Sequence, residues 1–188
     1  MLGAPGSGKG TQGERLAIRH AVPHVSSGDL LRAHVHDGTE LGRAARDAME
    51  RGDLIADDLV IAMVLDVVLG PGAGGGFVLD GFPRTVPQAR AAYAAARRHG
   101  LTLHAVLLLE IPHEQLLARL VARRADSGRS DDTEATIRHR IEVYTNLTLP
   151  LVNYYAGRRI LRRVDATGTI DEVSARVFKA VDDQLATP

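Results

Sequence analysis

The sequence predicts an α/β fold in which a parallel sheet is covered by helices on both faces. Short apolar runs alternate with longer stretches of helical periodicity along most of the 188 residues. Strands that alternate with helices in this way are typical of parallel sheets, because each crossover helix returns the chain to the same edge. This length suits one domain, and a chain of this size buries enough surface for its own core.

The elements follow one another in a regular order. Strands are predicted at residues 23–26, 77–80, 104–110 and 161–164, the last being a weaker candidate. Helical periodicity covers residues 9–20, 29–50, 57–69, 85–99, 113–124, 132–156 and 170–185. Before the last helix, Thr169 and Glu172 have the spacing of a capping box,. The glycine-rich residues 70–76 predict a surface loop.

The bulk composition excludes several classes of protein. The absence of Cys excludes a disulfide scaffold, an iron–sulfur cluster and a zinc site built from Cys. The 23 basic residues balance 23 acidic residues, so nothing indicates a duplex nucleic-acid partner. No apolar run reaches the roughly 18 residues of a membrane helix, and the N-terminus does not resemble a secretion signal. We therefore expect a cytoplasmic protein that binds neither nucleic acid nor membrane.

The basic residues are unevenly divided between the two types. There are 21 Arg and only two Lys, Lys9 and Lys179. GC-rich codons favour Arg over Lys, and composition explains most of this excess. The position of Lys9 is the informative part, because it lies in a glycine-rich motif.

Residues 3–11 carry a phosphate-binding motif. Their sequence, Gly-Ala-Pro-Gly-Ser-Gly-Lys-Gly-Thr, fits G-x-x-x-x-G-K followed by Gly-Thr. Glycines let the backbone turn its N–H groups inward around an anion, and the N-terminus of the next helix favours negative charge. Lys supplies a compact cation that reaches the outer phosphates. The predicted phosphate-binding residues are Gly6, Ser7, Gly8, Lys9, Gly10 and Thr11.

The position of this motif in the chain is unusual. A strand that ends on such a loop normally lies in the middle of the sheet, yet only Met1 and Leu2 precede the motif. We therefore expect that about five residues, the length of an ordinary strand, are missing ahead of Met1. Without them, ladder groups of the neighbouring strands would be left unpaired. The alternative is a truncated protein that folds poorly.

Two further motifs indicate a family. Asp80-Gly81-Phe82-Pro83-Arg84 follows a predicted strand, and Ser26-Ser27-Gly28-Asp29-Leu30-Leu31-Arg32 precedes a helix. With the phosphate-binding motif, and in the same order and spacing, they closely resemble the adenylate kinases. The resemblance runs from residue 2 to the C-terminus. It implies a P-loop fold with a parallel five-stranded sheet, a nucleoside-monophosphate-binding arm at about 27–56, and a short lid at about 123–130.

The resemblance also implies a set of arginines around the transferred phosphoryl group. Planar guanidinium forks hold phosphates with bidentate geometry, and phosphoryl transfer depends mainly on positioning and electrostatics. Arg119 and Arg123 are four residues apart, so both can face one ligand. Any one Arg in this Arg-rich chain can also be a surface charge. The expected catalytic residues are Lys9, Arg84, Arg119, Arg123, Arg129 and Arg140, and Arg32 is expected to join these arginines from the AMP site.

The two nucleotide sites follow from the same resemblance. The ATP site is expected to use the phosphate-binding motif with Arg119, Arg123 and Gly168. Gln88 can offer an amide to an adenine edge, and the alternative is an ordinary helix-surface residue. The other residues that match the AMP pocket are Ser27, Arg32, Asp53, Leu54, Ile55, Gly81, Phe82, Pro83, Arg84, Arg129 and Arg140.

A magnesium ion is the expected cofactor, and zinc is not expected. Asp80 ends a buried strand at its carboxyl edge, where ligands bind in such sheets. With Asp29 it resembles the pair of carboxylates that holds magnesium through water in this family. Magnesium keeps several waters, so few protein ligands are needed. A structural role for Asp80 as a cap of the next turn is the alternative.

The resemblance implies a monomeric phosphotransferase that converts MgATP and AMP reversibly to two ADP. Two alternatives stay open at this point. One is another nucleoside monophosphate kinase, acting on UMP or CMP or using GTP as the donor for AMP. The other is a nucleotide-binding protein that is inactive because the first strand is missing.

Overall fold

Parallel strands separated by helices form the structure. The computed structural model describes residues 1–70, 75–127 and 133–186, with the backbone alone at 122–127. The strands are β1 (Leu2–Gly3), β2 (His24–Ser26), β3 (Val78–Asp80), β4 (Val106–Glu110) and β5 (Leu161–Asp165). The helices are α1 (Lys9–His20), α2 (Ser27–His36), α3 (Glu40–Arg51), α4 (Asp57–Val68), α5 (Val86–Arg98), α6 (His113–Ser127), α7 (Glu134–Val143), α8 (Leu151–Ala156) and α9 (Ile170–Leu185).

Within residues 1–70, 75–127 and 133–186, the strands do not form the continuous five-stranded sheet that we expected. They form a three-stranded sheet in the order β1-β4-β5 and a two-stranded sheet of β2 and β3. All the recorded pairings are parallel. The physical reason is the length of β1, which has two residues and pairs only Leu2 with Leu108 and Gly3 with Leu109. A strand this short spans its neighbour β4 but extends no ladder to β3.

The chain terminus lies where β1 and β3 approach each other. The Met1 ammonium donates a hydrogen bond of 2.7 Å to the carbonyl oxygen of Leu79 in β3. Burial lowers the pKa of this amino group; Asp80 opposes the shift and Lys9 adds to it. The two sheets are thus joined here by a hydrogen bond from a buried amino group rather than by a backbone ladder.

Two of the predicted helices are broken. The helix expected over residues 29–50 is two helices, because Gly38 adopts a φ of 63° and Thr39 caps the N-terminus of α3 by accepting from the Gly42 N–H. The helix expected over 132–156 is interrupted as well. α7 is followed by a π-helical turn (Tyr144–Thr148), and α8 begins after Pro150. The expected first residue of the 132–156 helix lies outside the described residues, as do 71–74 of the expected glycine-rich loop.

Helices cover both faces of the three-stranded sheet. Side chains of β4 alternate between the faces, as the pleat of a strand requires. Leu107 and Leu109 pack in one cluster with residues of α1 and α9, whereas Val106 and Leu108 pack in another with Leu151 of α8. The predicted capping box at Thr169 and Glu172 is confirmed at the start of α9.

A separate cluster supports the expected arm. It joins apolar residues of α2, α3 and α4 to Val25 of β2 and to Phe82. Among the described residues, no helix is long and apolar enough to cross a membrane.

The short first strand leads to a prediction about stability. An apolar extension of about five residues, the usual strand length, placed ahead of Met1 is expected to raise the melting temperature. It would pair β1 with both β3 and β4 and would replace the buried amino group between the sheets with backbone hydrogen bonds. Differential scanning calorimetry of the two proteins measures the difference, with a Gly-Ser extension of equal length as the control. Equal melting temperatures for this chain and the apolar extension would contradict the prediction.

Candidate active site

The predicted phosphate-binding motif forms the loop between β1 and α1. Gly6 and Gly8 have φ angles of 84° and 94°, in the left-handed region that favours glycine,. A Cβ on Gly6 would lie 2.7 Å from Cγ of Leu120 in α6, and Leu120 is fully buried. The loop is therefore seated directly on α6, and only glycine permits this close approach.

Lys9 arches back over the loop that precedes it. Its Nζ donates a hydrogen bond of 3.0 Å to the carbonyl oxygen of Ala4. Because α1 begins at Lys9, the ammonium and the positive end of the helix dipole lie together. The Ser7 hydroxyl is buried beside them and makes no hydrogen bond within the described residues. These groups form a site for an anion such as phosphate.

A cavity of about 900 Å³ opens in front of this loop. A volume of this size suits a ligand larger than a single small metabolite. The structure brings most of the predicted residues to its wall. The predicted residues that line it are Gly6, Ser7, Gly8, Lys9, Gly10, Thr11, Asp29, Arg32, Leu54, Asp80, Gly81, Pro83, Arg84, Arg119, Arg140 and Gly168.

Three guanidinium groups meet at one end of this cavity. Arg84 Nε donates to the Gly81 carbonyl at 2.7 Å. Burial lowers the pKa of Arg84, the Arg140 and Arg32 cations lower it further, and Asp80 opposes them. A cluster of like charges around a desolvated guanidinium is unfavourable by itself. It becomes favourable when a multiply charged anion is bound among them.

Arg119 lies at the opposite side of the cavity, on α6. Its Nη2 donates to the carbonyl oxygens of Ala166, at 2.9 Å, and Gly168, at 3.4 Å. Its other terminal nitrogen, Nη1, would be 3.9 Å from a Cβ on Gly8. Arg119 therefore joins the phosphate-binding loop to the segment that follows β5.

A smaller recess of about 50 Å³ continues from the arginine end. It shares Arg32, Arg84 and Arg140 with the main cavity. The other predicted residues that line it are Ser27, Asp53, Leu54, Ile55, Gly81 and Gln88.

Gln88 forms part of the wall of the recess and also makes hydrogen bonds to two neighbouring residues. Its side chain is buried, accepts from the Arg84 N–H at 2.7 Å and donates to Asp57 at 2.7 Å. One donor and one acceptor position of the amide are thus used within the protein, which leaves a second of each for a ligand. Gln88 is therefore not an ordinary helix-surface residue.

The two carboxylates expected to hold magnesium both line the main cavity. Asp80 is buried, and its Oδ1 makes no hydrogen bond within the described residues. Oδ2 would be 3.7 Å from a Cβ on Gly10, so the carboxylate faces the phosphate-binding loop. Asp29 pairs with Arg32 at 2.5 Å. A buried carboxylate oxygen with no partner beside a phosphate site fits magnesium, which needs few protein ligands; no cluster of three such ligands occurs among the described residues.

Some predicted residues are not placed in the cavity. Phe82 is buried in the cluster beneath it and lines neither cavity nor recess. Arg123 belongs to α6, but its side chain lies outside what the structure describes, and Arg129 lies outside the described residues altogether. Of the expected lid at about 123–130, residues 123–127 belong to α6, which extends further than the periodicity predicts, and residues 128–130 lie outside the described residues.

Several wall residues were not predicted from the sequence. Tyr144 and Thr148 of the π-helical turn line the main cavity, and burial raises the pKa of Tyr144. Tyr144 follows Arg140 by four residues, a helical spacing that would have indicated it. His24 also lines the cavity. No sequence pattern indicated Asp57, the partner of Gln88, because the two residues are 31 positions apart.

Comparison with known proteins identifies the family. The family model described as adenylate kinase matches residues 1–160. The chain is 43% identical over 181 residues to the adenylate kinase of Stenotrophomonas maltophilia (strain K279a), covering 96% of this chain and 97% of the relative. It is 45% identical to that of Thermobifida fusca (strain YX), covering 96% of each. It is also 45% identical to that of Xanthomonas oryzae pv. oryzae (strain MAFF 311018), covering 96% of this chain and 97% of the relative.

The three motifs thus occur in one chain with the cavity they predict, and the similarity extends over nearly the whole sequence. The chain belongs to the adenylate kinase family.

Proposed function

We propose that this adenylate kinase transfers the terminal phosphoryl group of MgATP to AMP in the main cavity, which yields two ADP. The observation that carries the proposal is the desolvated Arg84 guanidinium, flanked by Arg32 and Arg140 where cavity and recess meet. Lys9 and the phosphate-binding loop line the same cavity. Two phosphate chains can therefore meet between them.

The donor nucleotide occupies the side of the phosphate-binding loop. Backbone N–H groups of residues 6–11 and the N-terminus of α1 hold its phosphates. Lys9 places a point charge on the outer phosphates. Arg119, which contacts the carbonyl of Gly168, orients the donor against the segment after β5. Arg123 completes this group from the same helix.

AMP lies at the arginine end of the main cavity, with its phosphate among the arginines and its base directed towards the recess. Ser27, Leu54, Ile55 and Gly81 line the recess, and the remaining amide hydrogen and lone pair of Gln88 recognise the adenine edge. Pro83, which lines the main cavity, completes the turn that carries Arg84. Phe82 acts through the core beneath that turn.

The arginines stabilise the charge that develops during transfer. The moving phosphoryl group carries charge on three equatorial oxygens, while the attacking and leaving oxygens stay in line. Arg84 and Arg140 reach this group from the acceptor side and Lys9 from the donor side, with Arg129 added by the lid. Because the guanidiniums are already clustered, little reorganisation is needed when the charge forms.

Asp80 and Asp29 would hold the magnesium ion through its waters. When bound, the ion neutralises charge on the donor phosphates. Asp80 lies behind the loop with an unpartnered oxygen, whereas Asp29 also fixes Arg32. The carboxylates therefore link the metal to the arginine cluster.

The arm at 27–56 and the lid at about 123–130 close over the bound nucleotides. Closure excludes water, so that AMP is the only nucleophile near the donor. We propose that the enzyme works as a cytoplasmic monomer on ATP, AMP and ADP.

Replacement of Arg84 tests this assignment. Arg84→Ala is expected to lower kcat for ADP formation by about 100-fold or more, the loss typical when one preorganised charge-stabilising donor is removed. The melting temperature should not fall, because the substitution relieves a crowded, desolvated cation. A coupled ADP assay and calorimetry measure the two quantities.

The matched control for this variant is Arg97→Ala, an exposed arginine on α5. It should leave kcat unchanged. Near-normal ADP formation by the folded Arg84→Ala protein would contradict the central role given to this residue.

The role of Asp80 predicts a change in the magnesium requirement. Asp80→Asn keeps the shape and removes the charge, so the Mg²⁺ concentration for half-maximal activity should rise about tenfold, as expected when an outer-shell carboxylate is lost. Titration of activity with Mg²⁺ at fixed ATP and AMP measures it. Asp66→Asn, on the exposed side of α4, serves as the control. An unchanged Mg²⁺ titration would show that Asp80 is instead a structural cap.

A further inference from the structure

We propose that His139 is a positioning residue for the AMP site, which it orders by holding Asp53 and the segment 52–55 against α7. The inference rests on the proposed AMP site. His139 Nε2 lies 2.7 Å from Asp53 Oδ1, 86 positions away along the chain. The contact joins the arm to the helix that carries Arg140.

The contact is one of three made by the same face of α7. The Thr136 hydroxyl donates to the Glu50 carbonyl at 3.3 Å. A Cβ on Gly52 would lie 3.0 Å from both Thr136 Cγ2 and Arg140 Cγ. Residues 136, 139 and 140 have the spacing of one helical face. This face of α7 therefore contacts the end of α3 and the residues that follow it.

The segment held in this way forms part of the recess. Gly52 ends α3 with a φ of 80° and lies against the stem of Arg140. Leu54 and Ile55 follow directly and line the recess together with Arg140. A shift of residues 52–55 would move the wall of the proposed AMP site relative to the Arg140 guanidinium, which is proposed to contact the phosphates. His139 reaches neither ligand site, since it lines neither cavity nor recess, so it acts through Asp53.

Asp53 is suited to this contact because neighbouring hydrogen-bond donors stabilise its negative charge. Arg51 Nε donates to Oδ2 at 2.8 Å, while His139 approaches Oδ1. The Arg51 hydrogen bond, and then that of His139, lower the pKa of Asp53. The carboxylate therefore stays ionised across neutral pH,.

Other charges face the imidazole and are part of its surroundings. Glu142 lies 4.0 Å from His139 Nδ1 on α7. From the arm, Arg51 contacts the far side of Asp53, and Asp47 acts on Arg51. On α7, Arg138 pairs with Glu134 and Arg140 adjoins His139 in sequence. Two carboxylates, Asp53 and Glu142, thus lie closest to the ring.

The test separates AMP binding from the rest of the reaction. Isothermal titration calorimetry of His139→Ala should show AMP binding weakened about three- to fivefold, the size expected for a half-exposed ion pair. The Kd for ATP and kcat at saturating AMP should be unchanged. His36→Ala is the matched control, because His36 forms the same type of pair with Asp37 on the arm without touching α7; its AMP affinity should equal that of the original chain.

A second variant tests the charge of the contact. His139→Lys keeps a cation that can pair with Asp53, so AMP affinity in this variant should return from the value of His139→Ala towards that of the original chain. An affinity that stays at the value of His139→Ala would contradict the pairing with Asp53.

The outcomes are distinct from those that test the proposed function. Unchanged AMP affinity in His139→Ala, or a loss of kcat and ATP affinity together with AMP affinity, would overturn the inference. AMP affinity that depends on His139 supports it even if the chain forms no ADP. Absence of ADP formation by the original chain would overturn the proposed function alone.

Discussion

The buried guanidinium of Arg84 is the constraint on which the rest of the site depends. Moving a cation out of water is costly, and two further cations, Arg32 and Arg140, add repulsion to that cost,. Asp80 and the Gly81 carbonyl offset part of it. Bound phosphate groups offset the remaining cost. The site without ligand therefore favours the binding of anions, which phosphoryl transfer requires.

The strands and the phosphate-binding loop place the other charged groups of the site near this arginine cluster. β1 delivers the phosphate-binding loop beside the end of β3, and the glycines let that loop rest on Leu120. The carboxyl ends of parallel strands meet at one edge, which explains why Asp80 faces the loop. β1 contributes two residues to this arrangement and pairs with β4.

Much of this site is readable from the sequence, because its parts are local. The phosphate-binding motif, the Asp80–Arg84 turn and the capping box are short patterns in which each residue type has a local physical reason. Periodicity located the helices but not the break at Gly38 or the π-helical turn, since apolar spacing continues through both. Contacts such as Gln88 with Asp57, or His139 with Asp53, join residues far apart in the chain and depend on tertiary packing.

The central claim is that one cavity places ATP and AMP with their phosphates in line and excludes water. The most direct measurement is ³¹P NMR of the folded chain incubated with Mg²⁺, ATP and AMP. The proposed mechanism predicts that ATP and AMP are consumed in equal amounts, that two ADP form for each pair, and that no inorganic phosphate accumulates. Release of phosphate without loss of AMP, or the absence of any ADP, would contradict it.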